Sequence, residues 1–243
     1  PSVISFKKKI ATLKPRLLVA VGSKALEYSL SNKFSLPVVY AMVLNPWLKI
    51  QPGAVNVTGV SMNVSPQTYW EAMVHIKPAI KTVGLLYNPL VTQILKDHAE
   101  KLAKEAGQEL IAIPVSNPKE SLQAIKNMAP LIDAFLMLPA KTLIRQEIID
   151  TLVSLSLRKR FVLIGLSGKY VKAGALMAYS FNSKANGKSA GNIVKALLSN
   201  SLQMNHNSKW APEAELSINL KTANKIGVVI DASLLEKADT IIK

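Results

Sequence analysis

The sequence predicts an α/β protein built on parallel strands, with helices on both faces of its sheets. Three observations predict it. Apolar runs of strand length alternate with amphipathic stretches of helix length along most of the chain. The runs are continuous rather than alternating, as in strands covered on both sides. Nearly half the residues are apolar and only 6% are aromatic, which suits sheets of Val, Ile, Leu and Ala. Alternation of this kind builds right-handed βαβ units.

Strands are expected at residues 17–21, 38–42, 82–87, 110–115, 134–138, 161–164 and 175–180. Helices are expected at 23–31, 66–80, 90–106, 118–128, 143–157 and 185–199. In the third helix Val91, Ile94, Leu95, Leu102 and Ala106 share one face, with His98 at its border; Lys96, Glu100, Lys101 and Lys104 take the other. Two helices open on Asn-Pro, at Asn88-Pro89 and Asn117-Pro118. Asn caps a helix end, and Pro fits a first turn where its missing N–H costs nothing. Further on, "AELSINL" alternates like an exposed edge strand, and 221–226 and 232–242 read as short helices. The rhythm breaks at 45–64, 165–174 and 200–212. Three such breaks are what a chain crossing repeatedly between two lobes produces.

Composition narrows the function. The net charge is +15, but the cations are nearly all lysines spread along the chain. Arginine, the residue suited to bidentate phosphate and base contacts, occurs four times, at Arg16, Arg145, Arg158 and Arg160. The runs Lys7-Lys8-Lys9 and Arg158-Lys159-Arg160 read as solvated helix faces or ends, and no nucleic-acid partner is expected. The absence of cysteine removes disulfides, thiol catalysis and thiolate metal sites. No apolar run approaches the roughly 20 residues of a membrane span.

Catalytic patterns fail one by one. His75, His98 and His206 are too far apart for a metal motif. "GLSGK" at 165–169 has Lys169 where a nucleophile elbow needs glycine. Gly187-Lys188-Ser189 imitates a phosphate-binding loop, but Asn182 stands where its first glycine belongs, and a helix start is the better reading. No carboxylate pair is presented. What recurs is small, polar or aromatic residues at the ends of strands, which suits a ligand cleft lined from several strands.

Seven segments in order carry a resemblance: "PRLLVAVGSKAL", "VNVTGVSM", "KTVGLLYNP", "EAGQELIAIPVSN", "IDAFLMLPAKT", "YVKAGALMAYSFN" and "INLKTANKIGVVIDASLLEKAD". The chain resembles, over nearly its whole length, the extracytoplasmic substrate-binding proteins of ABC transporters, in particular the tryptophan- and tyrosine-uptake type. The resemblance implies the type I periplasmic-binding-protein fold, with two Rossmann-like lobes and a small-molecule ligand between them. Lobe 1 is expected at 1–61 and 167–205 and lobe 2 at 62–166 and 206–243, with the family's first strand and helix of lobe 1 missing from this sequence. It also implies an ABC permease as membrane partner, a monomer or weak dimer, an extracytoplasmic location, no cofactor and no enzymatic activity. A ligand-sensing domain of a signalling or regulatory protein is the alternative.

Carried over by position, the ligand-binding residues are Ser23, Lys24, Leu44, Asn45, Ser61, Met62, Tyr87, Asn88, Pro139, Ala140, Lys141, Ser167, Phe181 and Asn182, with no catalytic or metal-binding residue. Aspartates are frequent in the family where this chain has Asn45, Ala140, Ser167 and Asn182. A carboxylate is the natural partner of an amino acid's ammonium group. Its loss at four positions, with Lys24 and Lys141 nearby, shifts the expectation to a neutral or anionic ligand, with a planar part stacked on Tyr87.

Overall fold

The computed structural model describes residues 3–32, 34–51, 53–141, 143–202, 204 and 210–243, and for 3–5 and 7 the backbone alone. His206 and the side chain of Lys7 therefore lie outside the described residues. The chain begins with α1 (Val3–Leu13), β1 (Leu18–Val21), α2 (Ser23–Ser31), β2 (Val38–Val43), β3 (Val57–Ser61), α3 (Pro66–Met73), β4 (Ile76–Lys77), β5 (Thr82–Tyr87), α4 (Gln93–Glu105), β6 (Glu109–Pro114), α5 (Pro118–Met128) and β7 (Ala134–Leu136). A 3-10 turn at Pro46–Leu48 follows β2. The second half runs α6 (Gln146–Lys159), β8 (Val162–Gly165), α7 (Gly168–Ala173), β9 (Met177–Phe181), α8 (Ser183–Leu198), β10 (Ala214–Asn219), α9 (Leu220–Ile226), β11 (Val229–Ile230), α10 (Ala232–Leu235) and β12 (Thr240–Ile242).

Two compact units result. Unit 1 comprises Pro1–Asn63 and Phe181–Glu213, and unit 2 comprises Val64–Ser180 and Ala214–Lys243. Residues 62–63, 167–180 and 210–213 thus stand on the opposite side of the division from the expected one. The reason for 167–180 is pairing: β9 bonds in parallel to β8 and so extends the sheet of unit 2.

In unit 1 the sheet order is β1-β2-β3, all parallel. On one face Ala20, Leu26, Val38, Tyr40, Val43 and Val57 pack into a core. On the other, Ala190 of α8 packs on Ala41 and Val60. Edge strand β1 keeps Val19 and Val21 exposed.

The sheet of unit 2 has the order β12-β10-β9-β8-β7-β5-β6. Its apolar core gathers Leu86, Met128, Phe135, Leu152, Phe161 and Leu163 with neighbours from α5 and α6. Asp133 pins the start of β5, its Oδ2 accepting from the N–H groups of Lys81 (2.8 Å) and Thr82 (2.9 Å). Asp239 accepts from Leu216 N (2.7 Å) in the same way.

Several expectations change. β3 lies in the stretch read as a break, because Gly59 and Thr58 dilute its apolar signal. The helix expected over 66–80 stops at Met73, and β4 pairs antiparallel with β11. The stretch expected as a helix over 232–242 ends instead in β12, which pairs with β10 and moves that strand from the expected edge to the interior. β6, expected to be covered on both faces, is the end strand and only half-buried. In α4 the buried face is Leu95, Ala99 and Ala103, leaving Ile94 and His98 exposed. Gly187, Lys188 and Ser189 lie inside α8, as the helix reading anticipated.

Candidate functional site

Parallel strands bring their carboxyl ends to one edge of a sheet, and in unit 1 that edge carries a buried network of amides. After β2 the backbone turns through left-handed conformations at Met42 (φ 57°) and Asn45 (φ 49°). Asn tolerates that region; a long side chain such as Met occupies it only when neighbours hold it there. Asn186, in the first turns of α8, does the holding. Its Oδ1 accepts from Met42 N (3.1 Å), and its Nδ2 donates to Ser61 O (2.8 Å). It thereby splices the ends of β2 and β3.

Asn63 completes the network. Its Nδ2 donates to Asn45 Oδ1 (2.7 Å), while its Oδ1 accepts from Asn45 N (2.8 Å) and from Ser61 Oγ (2.7 Å). Asn45, Ser61, Asn63 and Asn186 are all buried. Beside them Trp47 and Trp210 meet edge to face, with ring centroids 6.0 Å apart, and Ala211 N donates to Asn63 O (2.9 Å).

The other expected residues of unit 1 play separate parts. Ser23 and Lys24 open α2 behind Gly22, and no side chain caps that helix. Leu44 is partly exposed, at 38%. Met62 is half-buried and its N–H donates to Val43 O (2.9 Å). Phe181 closes β9, and Asn182 caps α8 through Ala185 N (2.8 Å).

In unit 2, Tyr87 ends β5 half-buried, with Lys96 Nζ 5.9 Å from its ring centroid. The hydrogen bond it donates to Glu100 holds the Lys96 ammonium above its usual pKa, outweighing partial burial; the charges of Glu100, Asp97 and Tyr87 add to it. Asn88 does not cap α4 as expected. Its Oδ1 accepts from Leu90 N (2.9 Å) and its N–H donates to Thr92 Oγ1 (2.9 Å), forming a separate turn that delays the helix to Gln93. Asn117 does cap α5, through Glu120 N (3.0 Å). After β7, Pro139 is half-buried and Lys141 exposed, but Ala140 is buried in the apolar core. Ser167 precedes the short helix α7 without capping it.

Of the expected residues, Asn45 and Ser61 are joined, through Asn63. The sequence reading missed Asn63, Asn186, Trp47, Trp210 and the buried Tyr69, whose ring meets Tyr179 edge to face at 5.6 Å. Asn186 left a usable signal. It falls at three- and four-residue steps from Ala190 and Ile193, and an amide in a buried stripe must find partners. Burial pushes the Tyr69 phenol far up, helped by Tyr179; the Tyr179 phenol is raised by burial first, then by Glu71 and Asp239.

Chemically, amides, hydroxyls and indoles can bind and orient a molecule. Among the described residues no group of three or more His, Asp or Glu converges to hold a metal ion. Ser233, His75 and Asp231 do come together in unit 2. However, Ser233 Oγ (3.2 Å) and Asp231 Oδ2 (3.8 Å) both face His75 Nδ1. A proton relay needs them on opposite ring nitrogens.

Comparison with known proteins bears on what this scaffold is. The sequence model of the ABC transporter substrate binding protein family matches residues 2–242. A protein from Streptococcus pneumonia, described as an ABC domain in complex with L-Trp, has a similar structure, with TM-score 0.69 and 21% identity over 99% of this chain and 83% of that one. The ligand-free, open structure of CD0873 from Clostridium difficile, a substrate binding protein with adhesive properties, aligns with TM-score 0.75 and 16% identity, again over 99% and 83%. A conserved domain protein from Vibrio cholerae gives 0.68 and 21% over 98% and 82%. No curated protein matches the sequence. The two units have the type I periplasmic-binding-protein fold, and the chain belongs to the ABC transporter substrate-binding protein family.

Proposed function

We propose that the chain is the extracytoplasmic solute-binding component of an ABC importer. It takes up a small neutral or anionic molecule with a planar part, closes on it, and delivers it to a membrane permease without making or breaking bonds. The observation that carries the solute class is the uncharged strand-end chemistry. Positions 45, 140, 167 and 182 hold Asn, Ala, Ser and Asn, and the buried network beside the Trp47–Trp210 pair consists of three amides and one hydroxyl. A free ammonium group would have no carboxylate there to meet. Uncharged amides and hydroxyls suit a neutral or anionic molecule better than an ammonium, and indole rings offer a planar group a stacking surface. Closure follows from differential affinity, since a ligand that prefers the closed state shifts the population toward it.

Native mass spectrometry of freshly purified protein, weighing any molecule carried from the cell, tests capture directly. Calorimetry with L-tryptophan against indole-3-propionate, the same ring without the ammonium, tests the class. The acid is expected to bind more tightly. Tight tryptophan binding with no preference for the acid overturns the solute class, and solution scattering unchanged at saturation overturns closure.

A further inference from the structure

We infer that the outer face of α8 is a docking ridge for the anionic headgroups of a lipid membrane. The two units differ sharply in charge. Unit 1 carries twelve lysines and arginines against two acids, Glu27 and Glu213, whereas unit 2 carries eighteen against thirteen. Of the two acids in unit 1, Glu27 is tied to Lys49, and Glu213 stands beside the start of α8, its carbonyl accepting from Asn182 N.

The charge is organised along α8. Its charged residues are Lys184, Lys188 and Lys195, all exposed. At 3.6 residues per turn these fall within about 40° of one another and span about 16 Å of the helix axis. The opposite face, with Ala185, Asn186 and Ala190, is buried. Beyond the last turn, Arg16 Nη2 donates to Leu198 O (2.9 Å), which adds a fourth cation where the stripe ends. Between the lysines lie Gly187 and Gly191, and a Cβ at either would meet nothing within 4 Å. The floor between the charges is therefore open.

A row of point charges over a low floor fits phosphate headgroups in a plane. Lysine attracts anions without the fork geometry that reads bases, and α8 carries no aromatic ring on which a base could stack. Each lysine near an anionic bilayer strengthens binding about fivefold, so three together are worth roughly 100-fold.

The test is co-sedimentation of the whole protein with phosphatidylcholine vesicles, with and without roughly a third phosphatidylglycerol. Binding is expected on the anionic vesicles alone, and it should vanish at about 1 M salt, where screening acts within about 3 Å. The triple variant Lys184→Gln, Lys188→Gln, Lys195→Gln should lose roughly 100-fold, and the corresponding triple Arg variant should keep binding. A unit 2 variant with the same change in charge, Lys104→Gln, Lys119→Gln, Lys126→Gln, should also keep it. Circular dichroism melts confirm that each variant folds. The proposal is overturned if wild type binds both vesicles alike, if the two Gln variants lose equally, or if duplex DNA binds as tightly as anionic vesicles.

Discussion

Both units are sheets flanked by helices, yet the side chains that tie the ends of β2 and β3 differ from those at β5 in chemistry and in position. In unit 1 the amides of Asn45, Asn63 and Asn186 tie the carboxyl ends of β2 and β3. In unit 2 the carboxylate of Asp133 ties the amino end of β5, while Asn88 and Thr92 hold the turn after its carboxyl end. The cores differ too. Unit 1 has three strands with small apolar clusters, whereas unit 2 has seven strands with a core rich in Phe, Leu and Met. Where apolar area is scarce, buried hydrogen bonds must fix the geometry, and in unit 1 they do so at the strand ends where the candidate residues gather. That edge is preorganised by long-range amide bonds, whereas the turn after β5 is held by local ones.

Glycine substitutions in the two sheets should break this comparison open most widely. A Cβ at Gly59 in β3 would enter the Tyr40 carbonyl oxygen and come within 2.5 Å of Tyr40 Cγ, both fixed in the neighbouring strand. Gly59→Ala is expected to cost more than about 4 kcal/mol, because backbone does not yield. A Cβ at Gly84 in β5 meets instead the sulfur of Met128 and, at 2.9 Å, Ile132 Cγ2. The closest of these belongs to the flexible Met128 side chain rather than to backbone, so Gly84→Ala should cost about 1–3 kcal/mol. Urea unfolding followed by tryptophan fluorescence separates the two, since Trp47 and Trp210 lie in unit 1 and Trp70 in unit 2. Equal costs would mean that the thin sheet is no more rigid than the thick one.

Removing the cross-links themselves should have the next largest effect. Asn186→Ala leaves Met42 N–H and Ser61 C=O without their partner in a buried site. The expected loss is about 2–4 kcal/mol, with the signal of Trp47 and Trp210 shifting to lower urea. Asp133→Ala removes two hydrogen bonds as well, but at an exposed position where water can replace them. Its expected cost is about 1 kcal/mol. If Asp133→Ala costs as much as Asn186→Ala, burial is not what makes the unit 1 network strong.

Much of this was legible in the sequence. Continuous apolar runs marked β2, β5, β7, β8 and β9, because strands covered on both faces need apolar side chains whatever their neighbours are; β1 gave the same run although Val19 and Val21 are exposed. Position within the sheet was not legible. β10 alternates, yet it is interior, because Ser217 and Asn219 are buried and Asn219 Nδ2 finds Val171 O (3.0 Å). β6 is apolar from Leu110 onward, yet it is the last strand. Local pattern records polarity; strand order depends on partners far along the chain. The same limit applies to the site. Asn45 was legible as a residue after a strand and Ser61 through the family resemblance, but their link runs through Asn63 and, by Asn186, through a helix more than a hundred positions later. Asn88-Pro89 and Asn117-Pro118 read alike, and only the second begins a helix, because Thr92 draws the first into a turn.

The smallest effect separates the units by pH. Burial holds the Tyr69 phenol above its usual range, and Tyr179 is raised for the same reason with help from Glu71 and Asp239. Both belong to unit 2. Below pH about 9 the phenols are neutral in folded and unfolded chains alike, so stability is unaffected. Above pH about 10 the unfolded chain releases a proton that the folded chain keeps. Stability must therefore fall as pH rises, with a slope approaching about 1.4 kcal/mol per pH unit for a fully buried phenol. Tyr179, only half-buried, contributes less. Tyr69→Phe should flatten the alkaline slope of the Trp70 signal and leave neutral-pH stability nearly unchanged, since the ring still packs on Tyr179. If Tyr69→Phe keeps the wild-type slope, the proton is released elsewhere, and alkaline weakness does not distinguish unit 2 from unit 1.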